Sequence, residues 1–137
     1  MLLVDTSAFV DAHRRSSGEH ERRCRDYLQQ AGQNTRLTTC GICVQEIMEV
    51  AADDANAARL AGQVDAFGVE PATLEDHLSA ARLFRACRGK GITPGTADVL
   101  VVAIALRIGA TVFASDADFE HIRRVVDLPL TCIVKNR

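Results

Sequence analysis

Two acidic residues follow short apolar runs that are typical of buried strands. Asp5 comes after LLV at 2–4, and Asp116 comes after TVFAS at 111–115. Ligands of an open parallel sheet bind beyond the carboxyl ends of its strands, so both carboxylates are placed where a ligand would be held. Asp is also a favoured helix N-cap, which is the ordinary reason for one such residue. Two of them at the same edge of a sheet favour a functional site.

Two further acidic residues interrupt apolar helical patterns. Asp98 lies in the first turn of the most apolar predicted helix, 97–108, and Glu46 shares an i, i+4 row with Ile42 and Val50. A buried carboxylate must find a partner, which is an arginine in the simplest case, or stay protonated. Converging carboxylates repel each other, and Mg²⁺ or Mn²⁺ relieves this repulsion because these hard ions prefer oxygen ligands. The four acids therefore predict a divalent-metal site.

Three residues beside these acids extend the predicted site. Asp118 follows Asp116 by two residues and either assists the metal site or begins a solvated helix. Thr6 and Ser115 are predicted to orient ligands or a substrate phosphate, although Thr6 is equally suited to cap the next helix. The predicted catalytic residues and metal ligands are Asp5, Glu46, Asp98 and Asp116, with Asp118 as an additional metal ligand.

Strand-like and helix-like segments alternate along the chain. Apolar runs predict four strands, at 2–5, 36–40, 111–115 and 130–134. Helical patterns lie between them, at 7–15, 19–31, 41–52, 54–66, 74–88, 97–108 and 118–126. This alternation predicts a three-layer α/β/α domain with a central parallel sheet. The 137 residues show no repeat and no linker, so we expect a single domain over 1–137.

Composition narrows the class of protein. Hydrophobic residues make up 47% of the chain, enough for a substantial core, yet no run approaches the roughly 20 apolar residues of a membrane span. The N-terminus lacks the basic start of a signal peptide, which predicts a cytoplasmic protein. Five cysteines without an export signal are expected to be reduced.

The distribution of charge indicates a phosphate-bearing partner. The net charge is −2, from 16 basic and 18 acidic residues. Without the five predicted site acids, 13 acidic residues remain against the 16 basic ones, so the rest of the molecule is mildly cationic. Basic residues cluster at 14–25 and 85–90, as is common around a site that cuts phosphodiesters, although solvated helix faces look the same.

Four segments together resemble the PIN-domain family, and most closely its small VapC-type ribonuclease toxins. They are VDTSAFVD at 4–11, VQEIMEV at 44–50, TADVLVVAIAL at 96–106 and SDADF at 115–119. Ser115 stands where this family more often has threonine. The resemblance implies an RNA endonuclease that uses Mg²⁺ or Mn²⁺ to activate water, leaving a 5′-phosphate and a 3′-hydroxyl. It also implies a cognate antitoxin and a homodimer, to which the alanine- and leucine-rich segments 54–66 and 74–88 would contribute apolar surface.

Three other functions fit part of the sequence. A haloacid-dehalogenase-like phosphatase also has a strand that ends in an aspartate, but its second aspartate is replaced here by Ser7. A catalytically silent RNA- or protein-binding PIN module would have no need for Glu46 on an apolar face. Cys40 and Cys43 have the C-x-x-C spacing of thiol oxidoreductases, without any other feature of that class.

Overall fold

Strands and helices alternate as predicted. The computed structural model describes residues 1–15 and 18–135, and the strands in these ranges are β1 (Leu2–Val4), β2 (Leu37–Cys40), β3 (Gly68–Glu70), β4 (Thr111–Ala114) and β5 (Leu130–Cys132). The helices in the same ranges are α1 (Thr6–His13), α2 (Glu19–Asn34), α3 (Gly41–Glu49), α4 (Asp54–Val64), α5 (Leu74–Gly89), α6 (Thr96–Ile108) and α7 (Asp118–Ile122). Among these residues, no helix is long and apolar enough to cross a membrane.

The five strands form one parallel sheet in the order β3-β2-β1-β4-β5. The chain runs outward from β1 through β2 to β3, and then returns to the other side of β1 to form β4. This reversal makes the pair β1 and β4 the switch point of the sheet, with Val4 beside Phe113. Open α/β sheets bind ligands at the carboxyl ends of the strands at such a point.

Helices cover both faces of the sheet, which confirms the predicted three-layer α/β/α architecture. Successive residues of β1 point to opposite faces, so Leu3 packs with α5, α6 and α7, whereas Leu2 and Val4 pack with α1, α2 and α4. Helix α6 is apolar on nearly every side because it is buried in the first of these layers. The N-terminal turn of α6 lies at the carboxyl edge of the sheet.

One strand was missing from the prediction. Strand β3 has only three residues, Gly68–Glu70, of which Val69 is 49% exposed. It pairs with β2 alone, at the edge of the sheet. A strand this short, with a glycine at its start and Pro71 after it, has no alternating pattern that local sequence could reveal.

The side chain of Arg107 ties α6 to the start of α5 and to β3. Its Nε donates to Asp76 Oδ1 at 2.9 Å, and its Nη1 lies 3.2 Å from Glu70 Oε1. Burial opposes ionisation of Asp76, but the hydrogen bonds from Arg107 and Thr73 outweigh it and lower the Asp76 pKa. Asp76 also completes the capping box of α5 with Thr73.

Candidate active site

Asp5 lies at the carboxyl end of β1, directly before the first residue of α1. Its backbone N–H donates to Phe113 O at 2.9 Å, which joins it to β4. Its Oδ2 accepts from the backbone N–H and the hydroxyl of Ser7, at 3.0 and 2.6 Å. Asp5 is therefore the N-cap of α1, and its carboxylate also lies at the switch point.

Asp116 and Asp118 follow β4 on the turn that leads into α7. The backbone N–H of Asp118 donates to Asp116 Oδ1 at 2.9 Å, which fixes the first carboxylate at the edge of the sheet. The side chain of Asp118 is 51% exposed. The turn therefore places the side chains of Asp116 and Asp118 on one side of the site.

Asp98 approaches the same place from the first turn of α6. The Ncap residue is Gly95, where an added Cβ would meet Asp98 Oδ2 at 3.1 Å, tighter than an ordinary contact. Glycine thus leaves room for the carboxylate close to the helix N-terminus, where the helix dipole favours an anion. Carboxylate oxygens of Asp98, Asp116 and Asp118 all lie within 4.8 Å of one another.

The pKa values of Asp98 and Asp5 show how burial and neighbouring charges act on the site. Burial first, and then the charges of Asp5, Asp116, Asp118 and Glu46 in that order, raise the pKa of Asp98 from 3.8 to about 7. The pKa of Asp5 is also raised, mainly by burial, against the opposing effect of its hydrogen bonds with Ser7. A site that opposes ionisation in this way favours a cation.

Glu46 reaches the site from the middle of α3. It is half-buried, and its Oε1 accepts a hydrogen bond from the Thr6 hydroxyl at 2.9 Å. The partner is thus a hydroxyl, not the arginine that was the simplest alternative. Val50, expected to continue the apolar row, is 59% exposed, so that row runs from the site to the surface.

Ser115 is held by a hydrogen-bond network that the sequence did not reveal. Its hydroxyl donates to Asp11 Oδ2 at 2.7 Å, and its backbone N–H donates to Ser7 Oγ at 3.0 Å. The same oxygen of Asp11 lies 2.8 Å from His20 Nε2. Asp11 therefore links α1, α2 and the end of β4 directly behind Asp116.

The C-x-x-C pair is closed off from solvent. Cys40 and Cys43 are both fully buried free thiols with 3.4 Å between their sulfurs, and Cys43 Sγ lies 3.8 Å from Asp5 Oδ1. The hydrogen bond with Cys40 and burial raise the pKa of Cys43 far above its ordinary value. An oxidoreductase needs a cysteine that its substrate can reach, and both of these are fully buried, so the pair has a packing role beneath Asp5.

The predicted basic clusters separate in the structure. Arg14 shares a surface cavity with Asp116, so it lies beside the acids. Arg85 and Arg88 instead border an apolar groove between α5 and α6, together with Phe84. Only part of the expected cationic surface is therefore next to the acidic site.

The donor set fits a hard divalent cation. Three carboxylates from two elements converge, the carboxyl groups of Asp5 and Glu46 lie near them, and burial together with this negative charge raises the pKa of Asp98. Mg²⁺ and Mn²⁺ bind oxygen ligands and keep several waters, so they suit a partly exposed group of this kind. Zinc would favour nitrogen or sulfur donors.

Fold and site together define a class of protein. The family model described as PIN domain matches residues 2–125, and the chain belongs to the PIN-domain family. Two curated relatives are VapC ribonuclease Mb1587 of Mycobacterium bovis and Ribonuclease VapC11 of Mycobacterium tuberculosis. Each is 33% identical over 132 residues, which cover 93% of this chain and 96% of the relative.

Solved structures share the fold at lower sequence identity. VapBC2 from Rickettsia felis, bound to a DNA fragment from its promoter, matches with a TM-score of 0.77 and 17% identity over 96% of this chain and 97% of that one. VapC20 of Mycobacterium tuberculosis, described as a Sarcin-Ricin loop cleaving toxin, matches with a TM-score of 0.72 and 16% identity over 88% and 93%.

Proposed function

We propose that this chain is a Mg²⁺- or Mn²⁺-dependent endoribonuclease and the toxin of a toxin–antitoxin pair. The observation that carries the proposal is the convergence of Asp98, Asp116 and Asp118 at the switch point of the sheet, with the Asp98 pKa raised to about 7. The curated relatives that match nearly the whole chain are ribonucleases by name. We place the activity in the cytoplasm and assign it to one domain over 1–137.

The acidic residues have different roles in this proposal. Asp98, Asp116 and Asp118 would hold the ion, and Asp5 and Glu46 would complete the negative charge that retains it or a second ion. When bound, such an ion lowers the pKa of water and stabilises charge on the attacked phosphate and the leaving oxygen. The chain itself supplies no side-chain nucleophile in this proposal.

Thr6 and Ser115 act as positioning residues. A hydroxyl has one proton to donate, and here it goes to Glu46 from Thr6 and to Asp11 from Ser115. Both residues line the cavity that contains Asp116, so they border the acidic site. Their main effect is to fix the acids in place, which is how ligand-supporting residues act at metal sites.

An antitoxin and a second copy of the chain are the proposed protein partners. Solved structures with this fold include toxin–antitoxin complexes. In this chain, α5 leaves Leu74 and Leu78 exposed, by 75% and 46%, and borders an apolar groove of about 690 Å³ with α6. In α4, Leu60 faces the core, whereas Ala55, Ala58 and Ala61 are exposed, so the large exposed apolar side chains are on α5 and α4 adds only small ones.

An RNA cleavage assay tests the proposed activity. The purified chain should cut single-stranded RNA with Mn²⁺ or Mg²⁺ and not with EDTA, whereas Asp98→Asn should lower the rate at least about 100-fold. Glu49→Gln is the matched control, because it removes one exposed carboxylate of α3 and should keep the wild-type rate.

Three outcomes would contradict the proposal. One is wild-type cleavage by Asp98→Asn in the presence of Mg²⁺. Another is hydrolysis of a small phosphate monoester without RNA cleavage, which would instead favour the phosphatase alternative. A chain that binds RNA, ignores metal and never cuts it would favour the catalytically silent module.

A further inference from the structure

Two cavities flank the acidic cluster, and each shares one proposed metal ligand with it. The α7 cavity, of about 260 Å³, is lined by Thr93, Asp118, His121 and Arg124 among others. The α1 cavity, of about 470 Å³, is lined by residues that include Arg14, Ser115, Asp116 and Lys135. The cluster therefore lies between two recesses, and each of them contains basic side chains.

In the α7 cavity, the cationic group is Arg124. The adjacent Arg123 donates from Nη2 to Glu120 Oε2 at 2.7 Å, so its charge is already paired. Arg124 is exposed, lines the cavity that contains Asp118, and makes no side-chain hydrogen bond or ion pair within residues 1–15 and 18–135. An available guanidinium next to an acidic cluster suits an anion that must approach that cluster.

In the α1 cavity, the cationic groups are Arg14 and Lys135. The side chain of Arg14 is 55% exposed, and its Nη1 is 3.7 Å from Asp11 Oδ1, a loose contact that leaves most of the guanidinium open. Lys135 is exposed on the same cavity. Both cations lie on the Asp116 side of the cluster, away from Arg124.

We propose that the two cavities are phosphate subsites for single-stranded RNA, one on each side of the bond that is cut. This inference rests on the proposed function and adds the path of the substrate. The acids repel a polyanion, and the chain as a whole has a net charge of −2, so binding must come from local cations. Arg124 would hold a phosphate on the Asp118 side, and Arg14 with Lys135 would hold one on the Asp116 side.

RNA affinity measured at several salt concentrations tests this path without catalysis. The full chain carrying Asp98→Asn is titrated against a short fluorescein-labelled single-stranded RNA in EDTA, and binding is measured by fluorescence anisotropy. Adding Arg124→Ala or Arg14→Ala should weaken binding about tenfold and reduce the slope of log K against log salt by about 0.7 for each lost contact. Arg123→Ala is the matched control and should change the affinity less than about twofold.

Each outcome has a definite meaning. Arg124→Lys retains the positive charge and should therefore keep the salt slope of the parent protein. A purely structural role of Arg124 would not predict this result. The inference is overturned if Arg124→Ala and Arg14→Ala bind like Arg123→Ala, or if only one of the two cavities matters. A parent protein that binds no RNA would overturn the proposed function as well, whereas equal binding by all variants would overturn this inference alone.

Discussion

Replacing Asp98 with asparagine should stabilise the metal-free protein even though it disables the proposed site. Burial, and then the neighbouring acids, raise the pKa of Asp98 from 3.8 to about 7. The ionised carboxylate therefore opposes folding at pH 8. The difference corresponds to about 4 kcal/mol at 1.36 kcal/mol per pKa unit. Asp98 is partly exposed, and solvent screening reduces the expected gain for Asp98→Asn to about 1–2 kcal/mol.

The size of this stabilisation should increase with pH. Below pH 3.8 the Asp98 carboxyl is protonated in both states, so wild type and Asp98→Asn should be equally stable. Between pH 4 and 7 the folded protein keeps a proton that the unfolded chain releases, so the wild type loses stability as pH rises through this window. The full difference should be present at pH 8, where it corresponds to about 3–8 °C in Tm.

Thermal and urea unfolding in EDTA at pH 4, 6 and 8 measure this difference. Glu49→Gln serves as the control, since it removes one exposed carboxylate. Adding Mn²⁺ should reverse the order, because ligand at 100 times its Kd stabilises the wild type by about 2.7 kcal/mol and Asp98→Asn far less. The reasoning is refuted if Asp98→Asn is less stable than wild type in EDTA at pH 8, or if the difference is the same at pH 4.

Two further substitutions test how the site and the fold are supported. Thr6→Val keeps the volume but removes the donor to Glu46, so half-maximal cleavage should need about 10-fold more Mn²⁺, and Thr6→Ser should restore the wild-type requirement. Arg107→Ala leaves the buried carboxylate of Asp76 without its cationic partner, so the urea concentration at the midpoint of unfolding should fall clearly below that of the wild type. Unchanged metal dependence, or unchanged stability, would contradict the respective argument.

Local sequence was sufficient to predict most of the fold, because the strands of the sheet centre are buried on both faces. Such strands are continuous apolar runs, as in LLV at 2–4 and TVFA at 111–114. The acids that end these runs were predicted for the same reason, since the strand end fixes where Asp5 and Asp116 must lie. Strand β3 escaped prediction because an edge strand of three residues carries too little pattern.

The supporting contacts of the site depend on tertiary structure and leave no local signal. Ser115 and Asp11 are 104 positions apart in the sequence, yet their side chains are 2.7 Å apart. In the same way, Arg123 and Arg124 are neighbours of identical type, and only the folded α7 region shows that one is paired and the other lines a cavity. Spacing could place the acids at one edge of the sheet, but it could not show the groups that hydrogen-bond to them or which arginine is already paired.

The acids of the site differ in their hydrogen bonds, and Asp98 differs most from the others. Asp5, Glu46 and Asp116 each accept a hydrogen bond, from Ser7, Thr6 and the Asp118 backbone respectively. Within residues 1–15 and 18–135, no comparable donor reaches Asp98. Burial at the start of α6, and then the charges of the other acids, raise the pKa of Asp98 to about 7, so in our proposal its proton is the one that a metal ion would displace. The fold thus places three hydrogen-bonded carboxylates around a fourth that has no such donor among the described residues.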